Sequence, residues 1–248
     1  RANPAVRRGI FIGTPHHGSS FASDTTRYFL NKLITLPAKL TSGSQQLKRD
    51  NPNLFRRENP IDISTSLDSL STKSPFLPVM LSSPRPADVR FHSIIGKITS
   101  GGLKGRVAAG GDGVVSYESA HLDNVDSELV IDADHLSVHR HPRSVLEVRR
   151  IIANSEESKS RIARIYREVL GREPDPGGLQ NYVNVLSGGA TLAGIRRAIA
   201  GSPEAQSRIR EIYRELRGRN PRASEMNAAI NGLANGGTLT GLRASLGG

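Results

Sequence analysis

The chain has 248 residues, a formal net charge of +11, 4% aromatic residues and no cysteine. The lack of cysteine excludes disulfides and thiolate metal sites, and no apolar run is long enough to predict a membrane-spanning helix. The positive charge is spread along the chain and aromatic side chains are few, so we expect no nucleic-acid partner. Because 25 glycines and 14 prolines are present, we expect long loops.

The first predicted element is a short parallel strand. Residues 7–14 (RRGIFIGT) form an apolar run bounded by charge and by Pro15, which is typical of a buried strand. Residues 15–20 (PHHGSS) then predict a turn that opens into a helix. Histidines in such a turn can simply cap backbone groups, and for His16 this interpretation stays open beside a functional one.

Two segments that differ in composition follow this turn. Residues 27–40 have apolar side chains at helical spacing until Pro37 interrupts the pattern. Residues 42–88 are rich in serine, proline and asparagine and contain only short apolar patches, which predict short helices within long loops. Both a lid over a binding site and a surface connection without function are consistent with this composition.

The next two loops present an acid and a histidine. Residues 89–96 (VRFHSIIG) predict a second strand, and a glycine-rich loop over residues 97–111 ends at Asp112. Residues 128–132 (ELVID) predict a third strand, which delivers His135 at its far end. In a hydrolytic triad an acid orients an imidazole, and the imidazole takes a proton from the nucleophile. The order of these elements therefore favours a hydrolase with Asp112 and His135 as triad members.

A metal site is the competing interpretation of the residues around His135. His135 and His139 are four residues apart, so on one helix they would share a face. However, the segment lacks the glutamate of a His-Glu-x-x-His motif, and Pro142 follows His141 directly. Asp134 is adjacent to His135, which is a poor position from which to orient that ring. We therefore predict no metal and no cofactor.

Two motifs in this part of the chain resemble α/β-hydrolases of the esterase and lipase type. Residues 11–19 (FIGTPHHGS) resemble the TPHxGS signature that follows the nucleophile in many such enzymes. A second motif resembles the tail of that fold through Asp112, Gly113, Val114, Val115, Ser119, Ala120, His135 and Pro142. The resemblance implies that Asp112 and His135 are catalytic, that His16 and Gly18 form an active-site wall, and that the substrate is a small-molecule or lipid ester.

The nucleophile of such an enzyme is missing from the sequence. No Gly-x-Ser-x-Gly occurs in residues 1–248, and three predicted strands are too few for a sheet covered on both faces. The chain also begins without methionine. We therefore expect residues 1–153, closed by a helix over residues 144–152, to be the C-terminal portion of an α/β-hydrolase. Such a fragment, lacking the nucleophile elbow, should be inactive alone.

The rest of the chain is an internal repeat of helical units. Residues 155–201 align without a gap with residues 202–248, and about 20 positions are identical. Apolar residues at helical spacing predict three helices in each unit, with glycine ending the first helix. Spacings of four residues between glutamate and arginine predict ion pairs within the first helices: Glu168 with Arg172, and Glu215 with Arg219.

The first unit resembles a bacterial helical family, the domain of unknown function four-two-one-four. The resemblance rests on residues 165–204 (IYREVLGREPDPGGLQNYVNVLSGGATLAGIRRAIAGSPE). It implies a binding or assembly module in residues 155–248, open to a protein partner, and it favours a secreted or cell-surface protein. The second unit departs from the first at residues 222–223 and at Ala229, which predicts a looser or terminal unit.

Two functions from different classes are consistent with these patterns. The first is a serine hydrolase acting on a carboxylic ester, with the helical units as an accessory module. The second is a non-catalytic binding or assembly protein, in which a partial hydrolase fold supports the helical units. The sequence upstream of residue 1 distinguishes them, because only the enzyme requires a nucleophile elbow there.

Overall fold

A computed structural model describes residues 5–19, 70–72, 74, 76–99 and 110–247. The described chain is a mixed α/β structure with two compact units, Arg1–Ser144 and Val145–Gly248. The helix predicted over residues 27–40 and most of the irregular segment over residues 42–88 lie outside the described residues. The same holds for most of the glycine-rich loop before Asp112.

Within the described part of the first unit, three parallel strands form a sheet. They are β1 (Arg8–Ile12), β2 (Arg90–Gly96) and β3 (Ser127–Ile131), in the order β1-β2-β3. The register places Ile12 beside Ile94, and Gly96 beside Ile131. Because all three strands run in one direction, their carboxyl ends meet at the same edge of the sheet. The loops that carry the two hydrolase-like motifs therefore start from neighbouring points.

β2 is the most buried strand. Ile94 and Ile95 point to opposite faces and are 0% and 1% exposed, so the sheet is covered on both faces here. His92 is also buried, and its Nδ1 lies 2.8 Å from Ser127 Oγ on β3. The described residues of this unit also form α1 (Phe76–Ser82), α2 (Tyr117–Ala120) and a 3-10 turn at Val138–Arg140. α1 lies within residues 42–88, where the sequence predicted short helices without giving their bounds.

The second unit is helical throughout its described residues. The helix α3 (Pro142–Ala153) spans the division between the units, whereas the sequence placed the boundary after residue 153. The first repeat contains α4 (Glu156–Leu170), α5 (Pro176–Ser187) and α6 (Leu192–Ala200). The second contains α7 (Pro203–Arg217), α8 (Ala223–Ala234) and α9 (Leu239–Gly247). Each helix of the second repeat begins and ends at the position equivalent to its counterpart, so the two repeats are matching three-helix units.

Local sequence determines where these helices start and stop. Asp175 caps α5 by accepting a hydrogen bond from Gly178 N at 2.8 Å. The second repeat has Arg222 at this cap, and there the Glu225 side chain accepts from the Arg222 backbone N–H at 2.6 Å. Gly171 and its counterpart after α7 end the first helix of each repeat in the left-handed conformation. The second repeat thus replaces its lost cap by a different one.

One apolar core holds the helices of the second unit together. Its fully buried members come from both repeats and include Ile162, Val169, Val183, Ile195 and Ile209. These are the positions that the helical periodicity of each repeat predicts to be apolar and inward-facing. None of the described helices is both long and apolar enough to cross a bilayer.

The ion pairs differ from those predicted within the first helices. Glu168 contacts Arg196 of α6, and Arg172 binds Glu204 at the start of α7 through two hydrogen bonds of 2.6 and 2.7 Å. The second repeat pairs Glu215 with Arg243, and Arg219 with Glu225. The prediction is wrong because the third helix of each repeat packs on the first and brings an arginine to this glutamate.

Candidate active site

Asp112 lies in a tight turn that follows β2. Its Oδ1 accepts hydrogen bonds from the backbone N–H groups of Val114 at 3.0 Å and Val115 at 2.7 Å. Its own N–H donates to Val115 O at 3.0 Å, which closes the turn. The side chain is 1% exposed, and a buried carboxylate requires such donors. The turn satisfies one carboxylate oxygen and leaves Oδ2 for another partner.

His135 lies in the loop that follows β3 and is that partner. Its Nδ1 is 2.8 Å from Asp112 Oδ2, and its backbone N–H donates to Asp112 O at 2.9 Å. Because an ionised carboxylate only accepts hydrogen bonds, the contact places a proton on Nδ1 and leaves Nε2 free to accept one. The structure therefore brings the two predicted triad residues together, while their catalytic role stays a prediction.

The surroundings of His135 favour its protonated form. The hydrogen bond to Asp112 is the main cause that raises the pKa of His135, and the charges of Asp112 and Asp134 act in the same direction. Burial opposes this rise only in part, because 36% of the side chain is exposed. An imidazole of this kind can take a proton from a group on its open side and hold it beside Asp112.

Gly13, at the end of β1, leaves the space that this pair occupies. Its backbone has a φ of 58°, in the left-handed region, and its N–H donates to Ile94 O at 2.9 Å. A Cβ at this position would lie 3.3 Å from Asp112 Oδ2 and 3.5 Å from His135 Nδ1. All three loops that follow the strands thus meet at the pair. The signal in the sequence is a glycine directly after an apolar run, which by itself predicts no contact with Asp112 or His135.

The segment that follows Gly13 is bound to the turn after Asp112. His17 N donates to Ser119 O at 3.2 Å, and Ser119 Oγ donates to Gly18 O. Ser19 Oγ donates to Val114 O at 2.5 Å. The two motifs that resemble hydrolase signatures are therefore joined by hydrogen bonds, although about 100 residues of sequence separate them.

Gly18, predicted as a wall residue, borders a cavity of about 380 Å³. The other lining residues are His17, Thr72, Ser116, Glu118 and Ser119. A Cβ at Gly18 would lie 2.7 Å from the backbone of Thr72, so only glycine fits here. The resemblance assigns no role to His17, and its place between two motif residues is the one signal of it in the sequence. Neither His135 nor Asp112 is among the lining residues.

His16, the second predicted wall residue, is not among the residues that line this cavity. Its ring packs edge-on against Phe11, with 4.6 Å between the centroids. Burial, helped by the nearby charges of His17 and Arg85, lowers the pKa of His16 to about 4. His16 is therefore neutral at pH 7, and its surroundings are those of a packed side chain.

The other acidic and histidine residues near His135 have different partners. Asp132 accepts hydrogen bonds from Thr99 N at 3.0 Å and from Thr99 Oγ1 at 2.6 Å, and these bonds lower its pKa. His141 Nδ1 accepts from Arg143 N at 3.2 Å. Within the described ranges, no group of three or more histidines and acids is arranged to hold a metal ion.

Comparison with known proteins identifies part of the helical unit. Residues 152–209 match the family described as "Domain of unknown function (DUF4214)". The match covers α4 to α6 and the start of α7, and it supports the helical repeat that the sequence predicted. Comparison with curated proteins and with solved structures gave no match. The likeness of the first unit to a hydrolase rests on its motifs alone.

Proposed function

We propose that this chain carries the acid and the base of a serine hydrolase that acts on a carboxylic ester. The observation that supports this most is the buried Asp112 carboxylate, 2.8 Å from His135 Nδ1. Two backbone donors hold the acid in place, and two hydrogen bonds hold the histidine against it. This is the acid–histidine half of a hydrolytic triad, and its chain order is that of α/β-hydrolases.

The chemistry assigned to the two residues is proton transfer. In acylation, His135 Nε2 would take the hydroxyl proton of a serine as its oxygen attacks the ester carbonyl. The imidazolium that forms would be stabilised by Asp112, whose second oxygen remains bonded to Val114 and Val115. His135 would then return the proton to the leaving alcohol, and the same steps with water would release the acid.

The position of the pair in the sheet supports the same proposal. Asp112 and His135 lie in loops that follow β2 and β3, and Gly13 directly follows β1. In sheets of parallel strands, ligands bind at the carboxyl ends of the strands. The cavity beside Gly18 lies between segments that follow β1 and β2, and we assign it to the substrate.

The nucleophile is proposed to lie outside residues 1–248. No Gly-x-Ser-x-Gly elbow occurs in the sequence, and within the described residues the ring of His135 has Asp112 as its hydrogen-bond partner. The elbow also provides one oxyanion donor, through the residue after the serine. The 248-residue chain is therefore proposed to be inactive toward esters.

A fluorophosphonate probe tests the proposal, because it reacts only with an activated serine. The 248-residue chain should remain unlabelled. A chain extended upstream to include a Gly-x-Ser-x-Gly elbow should be labelled and should hydrolyse p-nitrophenyl esters. In that longer chain, His135→Ala should reduce turnover by about 10⁴-fold or more, whereas the matched His139→Ala should leave it unchanged.

Labelling of the 248-residue chain at Ser19 or Ser93 would show that the nucleophile lies within this chain, and would reject its proposed position upstream. A gene whose upstream sequence lacks a nucleophile elbow would reject the enzyme. The match of residues 152–209 to a helical domain would then favour the second candidate, a binding or assembly protein built on a partial hydrolase fold.

A further inference from the structure

The two helical repeats differ in how they fill the space between their helices. In the first repeat Tyr182 projects from α5, and its ring contacts Tyr166 of α4 edge-on, with 6.0 Å between the centroids. Tyr182 packs against the apolar core. The equivalent residues of the second repeat are Ala229 and Tyr213. The tyrosine of the first helix is thus retained, and its aromatic neighbour is replaced by alanine.

The second repeat has a cavity at this place. It measures about 380 Å³ and lies between α7, α8 and α9. Its lining includes Tyr213, Ala229, Gly232, Leu233, Leu242 and Leu246. Gly232 takes the position of Val185 in the first repeat, and a Cβ at Gly232 would meet nothing within 4 Å. Ala229 and Gly232, which are both smaller than their counterparts in the first repeat, therefore line the same cavity.

We propose that this cavity binds a tyrosine side chain of a partner protein, in the position that Tyr182 occupies in the first repeat. The chain's own first repeat shows which group fits between such helices: one phenol ring, edge-on to the retained tyrosine. Such aromatic pairs are favourable beyond the area that they bury. A cavity of about 150 Å³ with apolar walls is already large enough for benzene, so this one has room for a phenol ring.

The lining also favours a side chain over a charged small molecule. Glu225 is the ionisable carboxylate of the lining, and both its oxygens lie 2.7 Å from nitrogens of Arg219. The remaining polar lining includes Thr238, whose Oγ1 accepts from Gly241 N at 3.0 Å. The charge of Glu225 is thus paired with that of Arg219, and Thr238 is held by Gly241. The cavity therefore offers mostly apolar walls and the Glu225 carboxylate as an acceptor for one hydroxyl.

The test uses p-cresol, the free analogue of a tyrosine side chain, and the full 248-residue chain. In ¹H–¹⁵N NMR titrations, p-cresol should shift the amides of Ala229, Gly232 and Leu242 and saturate at one equivalent. A ligand of this size is expected to have a dissociation constant on the order of 1 mM. N-acetyl-tyrosine amide should compete for the same site. If p-cresol binds and N-acetyl-tyrosine amide does not, the cavity does not accept a tyrosine side chain of a protein, and the proposal is rejected.

Two variants restore the side chains of the first repeat and should close the cavity. Ala229→Tyr should abolish p-cresol binding and raise the midpoint of thermal unfolding by about 4 °C. Gly232→Val is a smaller change and should weaken p-cresol binding at least tenfold. It provides the test if Ala229→Tyr does not fold. Ala244→Tyr adds the same ring on the exposed face of α9 and should leave binding unchanged.

The converse variant makes the first repeat resemble the second. Tyr182→Ala combined with Val185→Gly should create a second site, so that p-cresol saturates at two equivalents and shifts the amides of α4 and α5. The proposal is overturned if the unmodified chain shows no saturable shifts, or if Ala229→Tyr and Gly232→Val still bind p-cresol as the unmodified chain does.

Discussion

His135 and His16 lie in loops that follow parallel strands, and their surroundings move their pKa values in opposite directions. The hydrogen bond to Asp112 raises the pKa of His135, whereas burial lowers that of His16 to about 4. A raised pKa means that the folded state binds the proton more tightly than the unfolded state. His135 therefore stabilises the fold below its ordinary pKa of 6.5, and this stabilisation is lost as pH rises through the folded-state value.

Replacing Asp112 by asparagine should lower the pKa of His135. The amide removes the negative charge and the carboxylate acceptor, which are the main reasons for the raised value. Imidazole ¹⁵N shifts followed against pH measure this directly. Asp134→Asn is the matched control, because Asp134 acts on His135 by charge alone, and it should lower the pKa less. An unchanged titration in Asp112→Asn would show that the 2.8 Å contact does not control His135.

Gly13→Ala should disturb the pair itself. Gly13 and Gly110 both have left-handed backbones, with φ of 58° and 80°, so alanine at either should cost about 1 kcal/mol. Only at Gly13 would the new Cβ approach the pair, 3.3 Å from Asp112 Oδ2, whereas at Gly110 it would meet nothing within 4 Å. We expect Gly13→Ala to shift the His135 titration and Gly110→Ala to leave it in place, with both stabilities measured by urea unfolding.

At the scale of helices and strands, apolar periodicity together with capping residues and glycines was sufficient to predict the elements where the chain is regular. The strand predicted over residues 89–96 is Arg90–Gly96 in the structure, and the one over residues 128–132 is Ser127–Ile131. The gapless repeat predicted three helices in each unit, because the capping residues and glycines recur with it. These features depend on neighbours within a few residues, which sequence patterns record directly.

Contacts between distant elements could not be predicted in the same way. The role of Gly13 depends on two side chains that arrive on other loops, and the contact between His17 and Ser119 depends on how two segments pack. Glu168 illustrates the same limit, since spacing favoured Arg172 while packing of α6 brought Arg196. Helical wheels show which residues share a face, but not which residue of another helix lies opposite.

Arg196→Met should destabilise the helical unit. The Arg196 side chain is 12% exposed; it contacts Glu168 and donates from Nε to Leu233 O at 2.7 Å at the end of α8. Methionine keeps most of the apolar stem but leaves these groups unpaired, so we expect a loss of about 2–3 kcal/mol in urea unfolding. Arg243 is its counterpart in the second repeat, with a side chain 46% exposed, and Arg243→Met should cost below about 1 kcal/mol.

Equal effects of the two substitutions would contradict this account. They would mean that the bond from Arg196 to the end of α8 adds nothing beyond the ion pair that both arginines form with a glutamate.

At the scale of the whole molecule, the histidines are confined to one unit. All seven histidines lie before residue 142, in the unit that contains the sheet. The helical unit has carboxylates whose pKa values are lowered by arginine, such as Glu204 and Glu215. Their charge therefore does not change between pH 5 and pH 8.

Below about pH 6.5, where the contribution of His135 no longer changes, the stability of the sheet unit should fall as pH decreases toward 4, whereas that of the helical unit should stay constant to about pH 5. The cause is His16, whose pKa of about 4 means that the unfolded state binds its proton first. Urea unfolding followed at the amides of Ile94 and Val169 separates the two units. His16→Gln should reduce the slope at Ile94. A parallel fall at Val169 would contradict the assignment to His16.

The bonds between the two motifs of the sheet unit also bear on how fast the chain acquires its structure. The Ser19–Val114 and Ser119–Gly18 hydrogen bonds join residues 95 and 101 positions apart, whereas the Arg196 contacts span 28 and 37 positions. Closing long loops before any contact forms slows folding, so the sheet edge should assemble after the helical repeats. During synthesis, β1 cannot pair with β2 until β2 has left the ribosome, and in that interval the edge of β1 that later pairs with β2 is open to aggregation.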